Sequence, residues 1–261
     1  MPEPNLQIAP LVGRGFCADV YAWGEGRVLK LFHGRATREQ ADREYTATRS
    51  VHAAGLPAPA VYELMQTEGR WGIVFERIEG ISLLRHIQAR PRALFSVVRQ
   101  FAELHAHIHG HAAPAGLPSL RERIKARIEA SDSPMAQKQA ALERLSDLGD
   151  GTALCHGDFH PANVLITSRG LAVIDWSSAS SGDPLGDVAC TSRLLRSATL
   201  PPWSTGHVHL MLKCLRPVIH RSYMKNYFRL HPGTTQQIEM WQTPVAVAAK
   251  KAGIPVTHRE N

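Results

Sequence analysis

The chain has 261 residues, 44% of them hydrophobic, with five Trp and seven Phe, which excludes a disordered polypeptide and is enough to bury one large core or two lobes. A formal net charge of +7 suits an anionic ligand, from a nucleotide up to a nucleic acid, and does not choose among them. Cys17, Cys155, Cys190 and Cys214 lie far apart without a CxxC pair, so neither a disulfide framework nor a zinc site is expected, and a reduced compartment is.

The start, MPEPNLQIAP, lacks the basic and apolar stretches of a signal peptide, and no apolar run approaches the ~20 residues of a membrane span. The expected location is cytoplasmic, with no membrane partner. From Leu11 to Phe32 short apolar runs broken by Gly13, Gly15 and Gly24-Glu25-Gly26 predict a small antiparallel sheet. Residues 36–54 contain neither Gly nor Pro and stop at Gly55, as a helix does. The prolines of "LPAPAVYEL" predict an extended segment, "GRWGIVFERI" a strand, and Glu79-Gly80 a break. Residues 1–80 therefore read as a β-rich lobe with one helix.

From Ser82 the pattern turns helical through "RALFSVVRQFAELHAHIHGH", "LRERIKARIEA" and "AQKQAALERLSDL". Into it drops "ALCHGDFHPANVLITSRGLAVIDW", which reads as β, before helices resume near Val188. Residues 81–261 are thus expected to form a mainly helical lobe with one inserted hairpin, ending in a short helix and a frayed tail over the last twenty residues.

The hairpin carries the chemistry. "NVLIT" and "LAVID" flank Ser168-Arg169-Gly170, read as a three-residue turn; symmetry about Arg169 sets Asn163 opposite Asp175, with Cβ atoms about 4.5–5.5 Å apart. Two oxygen ligands at that separation can share a hard cation such as Mg²⁺, which would relieve the cost of burying a carboxylate. Asp158, five residues before Asn163, is placed to accept a hydrogen bond from a substrate hydroxyl, as the base of a phosphoryl transfer does.

"HGDFHPANVLI" followed by "VIDW" resembles the signature of the aminoglycoside phosphotransferase and choline kinase superfamily, small-molecule kinases of the protein-kinase-like fold. The resemblance implies an α+β, bilobal fold, Asp158 as catalytic base, Asn163 and Asp175 as Mg²⁺ ligands, and His156 as a prop of the loop. It also directs attention to the first lobe. Gly13 and Gly15 in "LVGRGFCADVY" are candidates to cover phosphates, and Lys30 in "RVLKLF" is a candidate to bind them. Glu44 is the expected ion-pair partner of Lys30, with Glu39 as rival. "IVFERIEG" resembles a hinge that binds adenine through backbone groups at Glu76 and Ile78. Asp187 in "SGDPLGDVAC" is read as a structural residue that bonds the catalytic loop or caps the next helix, and Asp183 as a turn residue.

The implied reaction is transfer of the γ-phosphoryl group of ATP, or GTP, to a hydroxyl of a small molecule. Gly157 where protein kinases carry Arg, Trp176 where they carry Phe, and the lack of an APE-like segment favour a small acceptor over a protein. After Trp176 only Asp183, Asp187, Glu239 and Glu260 face ten Lys and Arg, which favours an uncharged or anionic acceptor at least as much as a cationic aminoglycoside. A nucleotide-binding pseudokinase acting as a binding module is the alternative, and a nucleic-acid partner is not expected. In "LHAHIHGH" the pairs His105/His109 and His107/His111 are four apart, as zinc ligands can be. No nearby acidic ligand or HExxH pattern is read with them, so they are taken as packing residues.

Overall fold

The computed structural model describes residues 9–15, 17–34, 36–197 and 206–250, with 206–213 described by backbone alone. The stretch 251–261, most of the expected tail, lies outside the described residues. By contacts the chain divides into two units, Met1–Val97 with His160–Ala179, and Val98–Phe159 with Ser180–Asn261.

The first unit is built on a five-stranded antiparallel sheet of β1 (Leu11–Arg14), β2 (Ala18–Ala22), β3 (Arg27–Phe32), β4 (Val61–Thr67) and β5 (Arg70–Glu76), in the order β1-β2-β3-β5-β4. Side chains alternate between the faces of a strand. In β3, Leu29 and Leu31 accordingly pack with Trp23 and Val74 on one face, while Phe32 packs with Ala18, Ile73 and Phe75 on the other. Lys30 is in phase with Phe32.

That second face also holds Ala41 of helix α1 (Arg38–Ala53). Thr37 starts this helix as a full capping box with Gln40, each side chain bonding the other's backbone N–H. Its buried stripe is Ala41, Glu44, Ala47, Thr48 and Val51, so a glutamate stands among small and branched residues at helical spacing. Strand β6 (Ile81–Ser82) and the short helix α2 (Leu83–Ala89) follow the sheet.

The hairpin β8 (Val164–Thr167) and β9 (Gly170–Val173) belongs to this unit, and the partition differs from the lobe boundary read at residue 80. Three contacts account for the difference. Ile81 and Ser82 pair with Ile166 and Leu165, Leu84 N–H donates to Pro161 O at 3.0 Å, and Val173 N–H donates to Pro57 O at 2.6 Å.

The second unit is helical. Helix α3 (Leu94–His109) leads in, followed by α4 (Leu120–Glu129), α5 (Met135–Ser146), α6 (Pro184–Ser197), α7 (Gly206–Phe228) and α8 (Thr235–Ala248). Strands β7 (Ala153–Cys155) and β10 (Ser180–Gly182) pair antiparallel within it. Helix α8 packs on α4, α5 and α6; a Cβ on Gly186 would come within 3.1 Å of the Trp241 ring and 2.9 Å of Leu120, so the close approach of α6 and α8 requires glycine there. Among the described residues no helix is long and apolar enough to cross a membrane.

Candidate active site

In the first unit, the phase of β3 points Lys30 at α1, and Glu44 meets it there. Lys30 Nζ donates to Glu44 Oε1 at 2.7 Å and Oε2 at 2.9 Å, and to Asp175 Oδ1 at 3.1 Å. The rival, Glu39, lies exposed in the first turn of α1. Glu44 is 2% exposed and the Lys30 side chain 16%, so the ions are held where water screens them poorly. Burial alone would lower the Lys30 amine, but the charges of and hydrogen bonds to Glu44 and Asp175 outweigh it and raise the amine above its ordinary range. Burial pushes the Glu44 carboxyl up, against the pull of Lys30. The lysine stays charged, shared between two carboxylates.

Asp175 reaches Lys30 through an unusual backbone. Its φ is +63°, a left-handed conformation that Asp tolerates better than most residues. The carboxylate is further fixed by Ser177 Oγ, which donates to Oδ1 at 2.8 Å. Trp176, next along the chain, is fully buried and donates Nε1–H to Val173 O at 2.9 Å.

The hairpin register departs from the expected one. Val164 pairs with Val173 and Thr167 with Gly170, so the turn has two residues, Ser168 and Arg169, and Gly170 (φ +116°) already belongs to β9. Every pair is shifted by one. Asn163 therefore faces Ile174, whose N–H donates to Asn163 O at 2.9 Å, and not Asp175. The chain still ends the hairpin with a buried Asn163 on one side and Asp175 on the other. An amide oxygen and a carboxylate form an all-oxygen donor set suited to Mg²⁺, with Lys30 already beside Asp175.

The glycines of the first loop are placed differently from each other. Gly13 lies within β1, paired with Val20 beside a bulge, and is not in the connection. Gly15 lies in the connection and donates its N–H to Ala18 O at 2.8 Å. At the end of β5 the N–H of Glu76 is given to Ala60 O at 2.9 Å, and the Glu76 carboxylate accepts from Ala60 N–H at 3.1 Å and Arg169 Nη2 at 3.1 Å. Ile78 follows the strand, half-buried.

In the second unit the segment after β7 is held by its backbone. Asp187, completely buried in the first turn of α6, accepts the N–H of His156 at 2.5 Å and that of Gly157 at 2.9 Å. The next N–H, of Asp158, donates to His156 Nδ1 at 3.2 Å. Gly157 has φ +75°, which an L side chain adopts only with strain. Asp187 thus takes the loop-bonding role of its two expected ones. The capping role falls to Asp183, whose Oδ1 accepts from Leu185 N–H at 2.8 Å.

Sequence reasoning missed the acidic partner of the histidine pair. His105 Nε2 and His109 Nε2 both meet Asp187 Oδ2, at 3.3 and 3.2 Å. Asp187 lies 82 and 78 residues from them along the chain, so no local motif could have announced it. The i, i+4 spacing of the histidines was the only available signal.

The profile of a family described as the phosphotransferase enzyme family matches residues 10–213. Acyl-CoA dehydrogenase family member 11 of Gallus gallus is 27% identical over 175 residues, 58% of this chain and 22% of that protein; the chain spans about a fifth of the length of this curated relative. Among solved structures, an aminoglycoside-3'-phosphotransferase of type VIII superposes with a TM-score of 0.63 at 18% identity, over 92% of this chain and 93% of that one. An aminoglycoside phosphotransferase of Streptomyces rimosus, solved with ADP and streptomycin, gives 0.60 at 14% identity, over 88% and 90%. A choline/ethanolamine kinase family protein of Mesorhizobium loti gives 0.52 at 18% identity, over 92% of each chain. At these identities the likeness is one of fold.

Proposed function

Because the chain belongs to the phosphotransferase enzyme family, we propose that it transfers the γ-phosphoryl group of ATP, or GTP, to a hydroxyl group of a small molecule, with Asp158 as the base. The observation that carries this reading is Lys30 held between Glu44 at 2.7 Å and Asp175 at 3.1 Å. A buried lysine with two carboxylates is costly to assemble for stability alone. As a phosphate-binding lysine fixed by one carboxylate, beside a second that serves a cation, the group has a purpose.

Asn163 and Asp175 would hold Mg²⁺, which when bound neutralises charge on the phosphates. Lys30 would bind the phosphates, Glu44 would keep its ammonium in place, and backbone groups near Gly13 and Gly15 would cover them. Because the Glu76 N–H is given to Ala60, adenine contacts at the hinge would fall to the Glu76 carbonyl and the backbone of Ile78. Asp158 would orient the acceptor hydroxyl and take its proton as the oxygen forms a bond to the γ-phosphorus. The bond to the bridging oxygen breaks and the nucleoside diphosphate leaves. Positioning and charge neutralisation supply most of the rate in such transfers.

The similar structure solved with ADP and streptomycin is consistent with nucleotide use and with a small acceptor. For this chain an uncharged or anionic acceptor is supported at least as well as a polycation, because after Trp176 ten Lys and Arg stand against Asp183, Asp187, Glu239 and Glu260.

The test is ADP release from Mg-ATP and Mg-GTP over a panel of sugars, hydroxy acids, amino alcohols and aminoglycosides. Acceptor-dependent turnover that disappears in Asp158→Asn supports the reading. Nucleotide binding with no turnover on any alcohol would favour the pseudokinase.

A further inference from the structure

The network around Asp187 extends well beyond the loop it bonds. His105 and His109 are one turn apart on α3, and Tyr223 and Tyr227 are one turn apart on α7, so each pair lies on one face of its helix. The pairs meet residue for residue. Tyr223 OH lies 2.7 Å from His105 Nδ1, and Tyr227 OH lies 2.7 Å from His109 Nδ1. Both Nε2 atoms converge on Asp187 Oδ2, whose carboxylate also receives the N–H groups of His156 and Gly157. His105, Asp187, Tyr223 and Tyr227 are fully buried and His109 is 3% exposed.

Chemistry fixes the direction of these bonds. An ionised carboxylate only accepts, so each Nε2 bears a proton and donates it. A neutral ring then has its Nδ1 lone pair open, and the tyrosine hydroxyl donates into it. Burial works against the Asp187 charge, but the hydrogen bonds from His105 and His109 more than restore it and hold the carboxyl well below its usual range. Burial lowers His105, as does His109, to about 3. The groups facing His105 are Asp187 on α6, His109 on its own helix, Tyr223 and Tyr227 on α7, and His156 on the loop. Phe159 stacks on its ring at 4.1 Å.

The ligand atoms of His105, His109 and Asp187 lie within 4.8 Å of one another, a spacing a metal ion could bridge. Both ring nitrogens of each histidine already have partners, however, and Asp187 Oδ2 already accepts a backbone N–H. A hydrogen-bonded network accounts for every one of these atoms without an ion.

We propose that His105 with Tyr223, and His109 with Tyr227, are positioning residues: two hydrogen-bonded arms that fix the Asp187 carboxylate and, through the His156 and Gly157 N–H groups, the backbone that aims Asp158, with Tyr223 holding His105 in its neutral Nε2–H form. The kinetic part rests on the reading of Asp158 as the base. The hydrogen-bond part does not.

The experiment uses the full chain and its Tyr223→Phe variant, which keeps the ring and removes only the hydroxyl. Histidine ¹⁵N spectra of the wild type are expected to show His105 as the neutral Nε2–H form throughout pH 5 to 8. In Tyr223→Phe the open Nδ1 is expected to take a proton at higher pH than in the wild type. Mg-ATP turnover, with water as acceptor, is expected to lose roughly two- to tenfold in kcat, the worth of one buried hydrogen bond. The nucleotide KM should not change, and the kcat profile should gain an acidic limb.

A folded Tyr223→Phe with wild-type kcat and an unchanged pH profile overturns the positioning role. A wild-type His105 that is charged or Nδ1-protonated at pH 7, or one equivalent of zinc in the purified protein, overturns the hydrogen-bond assignment. Should Tyr223→Phe not fold, the wild-type spectrum and Tyr227→Phe carry the same test. Wild-type turnover that survives Asp158→Asn would instead indict the choice of base, and the spectra would still decide the network.

Discussion

Acidification should weaken this protein through one identifiable ring. His105 is completely buried and held down to about 3 from an ordinary value of 6.5. The unfolded chain therefore binds a proton below pH 6.5 that the folded chain refuses, and stability falls as pH falls from 6.5 towards 3. At pH 4.5 the unfolded ring is two pH units past its midpoint while the folded ring is still neutral; at about 1.4 kcal/mol per unit this costs about 3 kcal/mol. Glu44 acts in the opposite sense, because a carboxyl raised by folding adds stability as pH falls. The His105 contribution must accordingly be isolated by difference.

His105→Gln serves, since glutamine can still donate to Asp187 and does not titrate. Urea unfolding of both proteins at pH 7 and pH 4.5 should show the wild type more stable at pH 7 and its advantage smaller by about 3 kcal/mol at pH 4.5. An advantage that stays constant between the two pH values would refute the buried neutral ring.

Glu44→Gln leaves Lys30 with Asp175 as its only carboxylate of the present pair; we expect a loss of about 1–3 kcal/mol in chemical denaturation and a raised nucleotide KM. Gly80→Ala drives a Cβ into the backbone carbonyl of Ile166, where β6 meets β8, and should lower stability by about 1–3 kcal/mol by calorimetry, whereas Gly26→Leu, with open space around it but φ +65°, should cost less than a clash and act through backbone strain alone. Chelation with EDTA should stop turnover and added Mg²⁺ restore it, given the oxygen donors Asn163 and Asp175; zinc failing to substitute while magnesium succeeds would agree with that donor set.

Much of this was legible along the chain because local rules and the fold agreed. The absence of Gly and Pro over residues 36–54 gives α1, and the family resemblance points to Lys30 and Glu44; the structure adds that Lys30 lies on the sheet face that meets that helix, where Glu44 falls on the buried stripe. The hairpin was visible from its two apolar runs, yet its register was not. Ser168-Arg169-Gly170 permits either a three-residue turn or a two-residue turn with Gly170 in the strand, and one residue decides which side chain faces Asn163. The left-handed φ of Asp175 restores its position beside Lys30 by a route that periodicity cannot show. Least legible was the histidine pair, because an acid some eighty residues away completes it. Only the packing of α3, α6 and α7 reveals that a stretch resembling zinc ligands is a hydrogen-bonded support.

The most direct measurement of the central claim is ADP release from Mg-ATP by the wild type and Asp158→Asn across hydroxylated acceptors of each charge class, with nucleotide affinity measured in parallel. The account predicts turnover dependent on one acceptor class, reduced about 10²- to 10⁴-fold in Asp158→Asn with nucleotide affinity retained. Turnover equal in the two proteins would contradict it.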